Sequence, residues 1–71
     1  RLKTEMTIDG GELTISTVDG VFSATIDIET GEVISFVYTV ATVPQVAAFA
    51  NKVKTRYNKF LRSKDIDDFI N

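Results

Sequence analysis

Three breaks in the first forty residues, Gly10-Gly11, Asp19-Gly20 and Glu29-Thr30-Gly31, constrain this chain more than any other feature. Each separates two runs that alternate apolar and polar residues. Alternation with a period of two marks a half-buried strand, and Gly-Gly or Asp-Gly between two such runs marks a tight hairpin. Three consecutive hairpins follow, and with them a four-stranded antiparallel β-meander in the order 1-2-3-4.

Loop length then sets the register. A two-residue Asp19-Gly20 loop places Val18 opposite Val21, Ile15 opposite Ala24 and Leu13 opposite Ile26. The Gly10-Gly11 turn pairs Ile8 with Leu13 and Met6 with Ile15, so the same apolar face continues into the first strand. For the third hairpin, a three-residue loop with Gly31 left-handed pairs Ile26 with Ile34, Ala24 with Phe36 and Phe22 with Tyr38. A four-residue loop that set Ile26 against Ser35 would turn the fourth strand over, because a slip of one residue exchanges the two faces. The expected core face is Met6, Ile8, Leu13, Ile15, Phe22, Ala24, Ile26, Ile34, Phe36, Tyr38 and Val40.

A sheet with one apolar face needs a cover, and the rest of the chain supplies it. Thr42 suits an N-cap, Pro44 suits the first turn, and Val46, Phe49, Ala50, Val53, Tyr57, Phe60 and Leu61 recur at helical spacing. The pattern predicts a long amphipathic helix to about Arg62. Ser63 is positioned to cap a short further helical turn in which Ile66, Phe69 and Ile70 reach back to the core. The whole is a single α+β domain over residues 1–71, near the size where one core is only just sufficient. It begins at Arg1 rather than methionine, as a processed or excised piece of a longer chain would.

There is neither Cys nor His among the 71 residues. Thiol nucleophiles, thiolate metal sites and imidazole acid–base chemistry are therefore excluded. We expect a non-catalytic protein with no catalytic residues, cofactor or metal site. No apolar run approaches the roughly 20 residues needed to span a bilayer, so a soluble chain is expected, and the lack of Cys is compatible with the cytosol. The run Asp65-Ile66-Asp67-Asp68 lacks the Gly and the distal Glu of an EF-hand loop and reads as an acidic helix start.

Charge is segregated. Residues 1–43 carry two basic against seven acidic groups, whereas residues 44–62 carry Lys52, Lys54, Arg56, Lys59 and Arg62 with no acid, and the net charge is −2. Lys52, Arg56 and Lys59 share one side of the helix at i, i+4 and i+7, a stripe able to meet a phosphate backbone or another acidic surface. The alternative is a solvated face that offsets the acidic sheet half. Overall acidity and the scarcity of aromatics outside the core weigh against nucleic acid. The sheet's outer face carries rows of hydroxyls, Thr7, Thr14, Thr25 and Ser35, then Glu5, Ser16, Ser23 and Val37, with Val18, Val21 and Val33 adding apolar area.

The fourth strand, residues 33–40, has no charge, Pro or Gly and falls at the sheet edge. Natural edges are usually blunted, and a bare one invites pairing with another chain. Val33, Ser35, Val37 and Thr39 are the expected interface residues. The expected partner is a second copy, giving a homodimer with one continuous sheet, or another protein; nucleic acid at Lys52, Arg56 and Lys59 is the alternative.

The ββββα order resembles the topology of dimeric single-strand DNA-binding transcription coactivators, in which a curved meander precedes a helix. In that family the strands carry basic and aromatic contacts. Here the strands are acidic and hydroxylic, and no motif carries a residue across.

Overall fold

The computed structural model describes the backbone of residues 2–70 and the side chains of residues 2–63. Four antiparallel strands, β1 (Thr4–Asp9), β2 (Glu12–Thr17), β3 (Phe22–Asp27) and β4 (Val33–Tyr38), form one open sheet in the order 1-2-3-4. The helix α1 (Val43–Ile70) follows. No helix among the described residues is long and apolar enough to cross a membrane.

The three turns reach the expected pairing by different means. At the first, Gly10 and Gly11 both take positive φ, 57° and 80°, as a two-residue type I′ turn demands. Met6 pairs with Ile15 and Ile8 with Leu13. The second is wider than a two-residue loop. Asp19 keeps a negative φ and only Gly20, at 81°, is left-handed. The Gly20 N–H instead donates to the Thr17 carbonyl at 2.9 Å. The hydroxyl of buried Thr17 closes the loop in place of a ladder bond, accepting from the Phe22 N–H at 3.0 Å and facing the Phe22 carbonyl at 3.4 Å. The register survives, with Leu13 opposite Ile26 and Ile15 opposite Ala24.

The third turn departs from expectation twice, and the departures cancel. The Asp27 N–H donates to the Glu32 carbonyl at 2.8 Å, so the loop is the four residues Ile28 to Gly31. The Asp27 carboxylate accepts from the Glu29 and Thr30 N–H groups at 2.9 and 3.2 Å, stabilising that longer loop. Ile26 consequently faces Val33, not Ile34. A β-bulge at Ile34 then restores the frame, and Thr25 faces Ser35, Ala24 faces Phe36 and Phe22 faces Tyr38.

The helix begins on a reciprocal cap: the Thr42 N–H donates to Gln45 Oε1 at 2.8 Å, and the Gln45 N–H to Thr42 Oγ1 at 3.4 Å. It then runs unbroken past Ser63 to Ile70, about 42 Å at 1.5 Å per residue. The separate turn expected after Arg62 is not formed, because neither Gly nor Pro interrupts the sequence there and Ser costs little inside a helix. The expected packing of Ile66, Phe69 and Ile70, and the acidic run from Asp65, lie outside the described side chains.

The core is Leu13 and Ile15 from β2, Phe22, Ala24 and Ile26 from β3, and Phe49 and Val53 from α1. Phe49 is fully buried, stacked on Phe22 with ring centroids 4.9 Å apart and 5.5 Å from the tilted ring of Phe36. Five expected core residues, Met6, Ile8, Ile34, Tyr38 and Val40, are exposed. One helix is about 10 Å across and strands lie about 4.8 Å apart, so α1 shelters two strands of the four. Farther along α1, the Tyr57 hydroxyl donates to the Ile28 carbonyl at 2.9 Å and the ring abuts Gly31, whose φ of 78° disfavours any side chain.

Replacing Phe49 with Ala is expected to cost about 3 to 5 kcal/mol by denaturant unfolding, the loss typical of a buried ring. Asp19 provides a second check. Its carboxyl is held below the ordinary 3.8, chiefly by the bond it accepts from the Val21 N–H at 3.0 Å, with help from the Thr17 hydroxyl. A lowered native value means that this bond's contribution is present above 3.8 and is lost as pH falls through the native value. The amide shift of Val21, followed by NMR, should titrate below 3.8; a midpoint at or above it would contradict the loop geometry.

Candidate functional site

An open sheet has two edges, here β1 and β4, and each carries a row of backbone groups unused by the sheet. Which residues own those groups follows from the phase of the ladder, since neighbours in an antiparallel pair alternately point inward and outward. The Thr39 N–H donates to the Val21 carbonyl at 3.2 Å. Thr39, Val37 and Ser35 thus turn their backbones toward β3, and Phe36 and Tyr38 turn theirs outward. The Lys3 carbonyl accepts from Val18 at 3.0 Å, which by the same alternation leaves the backbones of Thr4, Met6 and Ile8 outward on β1.

The two edges differ in their protection. The outer face of β1 carries Glu5 and Asp9, with Lys3 just before the strand, and such charges resist a neighbouring strand. From Val33 to Tyr38 there is no charge and no Pro. The bulge at Ile34 spoils the pairing geometry at the beginning of β4, leaving Ser35 to Tyr38 as the regular edge.

The expected edge residues fall in two places. Ser35, Val37 and Thr39 keep the outer face, with Val37 56% exposed. Ser35 completes the hydroxyl row Thr7, Thr14, Thr25, Ser35, in which Thr14 Oγ1 and Thr25 Oγ1 are 3.2 Å apart. Val33 does not join them. Because of the bulge it borders, with Ile26, Phe36, Val53 and Tyr57, an apolar cleft of about 320 Å³ between β4 and the helix. Val21, also expected outside, packs partly against the core.

Sequence reasoning placed Phe36 and Tyr38 in the core and so missed them as edge residues. Phe36 is half-buried and Tyr38 is 49% exposed. Both are fixed by aromatic neighbours: Tyr38 lies 5.9 Å from Phe22 and meets Phe36 edge-on at 6.5 Å. The signal that would have found them is the width of one helix against four strands, combined with the alternation of ladder bonds.

The basic stripe stays on one flank of α1 but borders two clefts. Arg56 and Lys59 lie beside Met6, Phe60 and Ser63. Lys52 borders a cleft of about 570 Å³ that also includes Asp19, Val21, Val40 and Pro44. None of the three lines the cleft beside β4, where Lys54 is the basic residue.

Comparison with protein-family models, curated proteins and solved structures finds no match to this chain.

The phase of the edge is directly measurable. At dilutions where the chain is a monomer, the amides of Phe36 and Tyr38 should exchange with solvent quickly, while those of Ser35 and Val37 are protected. The reverse pattern would place the open groups on the wrong residues.

Proposed function

We propose that this chain is a non-catalytic protein-interaction module that joins a second chain by strand addition at the β4 edge, with self-association as its simplest form. The observation that carries the reading is the uncharged edge from Ser35 to Tyr38, where outward backbone groups coincide with anchored aromatic side chains. Backbone bonds would supply affinity in strand addition, and flanking side chains would supply selectivity. Rigid aromatic residues bury much area for little entropy, which suits an anchor.

This reading is favoured over nucleic-acid binding on the helix because the two features differ in what they require. Lys52, Arg56 and Lys59 are stable in water as they stand. Unpaired strand edges beside exposed apolar side chains promote association unless something blunts them.

Light scattering of the isolated domain should give twice the chain mass of 7.9 kDa at micromolar concentration or above. Val37→Lys, on the outer face where a Lys is harmless to the monomer, should return the mass to that of one chain. A single-chain mass at every concentration, indifferent to the substitution, would remove the proposal.

A further inference from the structure

We infer that the partner at this edge is a second copy in one specific register: β4 pairs antiparallel with the β4 of the other copy about a two-fold axis through Val37. The inference rests on the reading of β4 as the interacting edge and goes beyond it by fixing which residues meet.

The ladder phase restricts the choices. Only residues with outward backbones can exchange bonds across the edge, and within the regular part of β4 these are Phe36 and Tyr38. An axis through Val37 sets Phe36 of each copy opposite Tyr38 of the other, so each of the two pairs exchanges both of its bonds. Moving the axis to Phe36 would rely on the bulged Ile34. Moving it to Tyr38 would rely on Val40, beyond the end of the strand. Half-steps would oppose inward to outward groups and leave the ladder unmade.

The same register matches side chains on both faces. On the helix side, each Phe36 meets a Tyr38, an aromatic pairing of the kind that stabilises antiparallel neighbours. On the outer face Val37 meets Val37, and Ser35 meets Thr39, extending the row of hydroxyls that already crosses the sheet. No charge is buried, since Val33 to Tyr38 carries none. Phe36 and Tyr38 are already held by Phe49 and Phe22, so little side-chain freedom remains to be lost. Pairing about a two-fold axis also closes on itself, whereas β4 joined to β1 of the next copy would grow without end.

The chain contains no Cys, so a single introduced thiol reports its neighbour without background. At the axis, Val37 would form a non-hydrogen-bonded pair with Cα atoms about 4.5 Å apart, within the span of a disulfide. With oxidised glutathione accepting the two electrons and two protons, Val37→Cys should give a covalent dimer at a rate on the order of tenfold above Ser35→Cys, whose two copies would sit roughly 14 Å apart. Mixing Ser35→Cys with Thr39→Cys should restore cross-linking, as a mixed dimer, and leaves Val37 intact should its substitution disturb folding.

Equal cross-linking at 35 and 37, no cross-linking at 37 or in the 35 and 39 mixture, or growth beyond a dimer would each overturn this register. If light scattering nevertheless shows a doubled mass that Val37→Lys abolishes, only the register fails. A single-chain mass throughout removes the edge reading with it.

Discussion

A single helix laid over a four-stranded sheet cannot cover it, and that mismatch of widths governs the rest of the molecule. The outer strands are separated by three spacings, about 14 Å, while the helix is about 10 Å across. Every fully buried apolar side chain described here comes from β2, β3 or α1. The outer strands supply the flanks, so Ile8 on β1 and Ile34 on β4, although apolar, remain 58% and 51% exposed. In a domain this small, the uncovered flanks are a large share of the apolar surface. They are also where the two edges begin to differ: charged residues accompany β1, and an uncharged, aromatic strand forms β4.

The face of the sheet was legible from the turns, and the pairing of its central strands came out as expected even where the turn did not. Gly10-Gly11 formed the type I′ turn that its composition suggests. Asp19-Gly20 did not, yet Thr17 substituted a hydroxyl for the missing ladder bond and kept Leu13, Ile15, Ala24 and Ile26 in place. Burial of one face explains this tolerance. A slip of one residue at either strand would expose Leu13 and Ile15 and bury Thr14 and Ser16, at a cost far above that of adapting a loop.

The same pressure explains why the third loop misled in detail. Alternation counted back from Phe36 and Tyr38 gives the right partners, Ala24 and Phe22, but carries no information about a bulge that compensates for one extra loop residue. Asp27 held the longer loop through two local bonds, and Ile34 absorbed the offset. Val33 thereby changed sides. Exposure was illegible for a different reason: periodicity reports which face a residue is on, whereas burial also depends on which strand lies beneath the helix. Tyr38 has the right face and the wrong strand. The break after Arg62 was read from Ser63 as a cap and the acidic run from Asp65 as a helix start, and Ser63 can sit within a helix as well as start one.

Phe36 is where these constraints meet. Its ring belongs to the core, 5.5 Å from Phe49, while its backbone belongs to the edge. A strand arriving at β4 would cover the open side of Phe36 and Tyr38 and so extend the aromatic cluster around Phe49 rather than begin a separate contact. Folding and association would then draw on the same side chains. Any partner that binds the folded chain alone stabilises it by mass action, and the gain is largest where the free domain is marginal. On this view the incomplete cover is what would make the edge useful: a second helix wide enough to shelter β4 would stabilise the monomer and occupy the surface proposed to receive another chain.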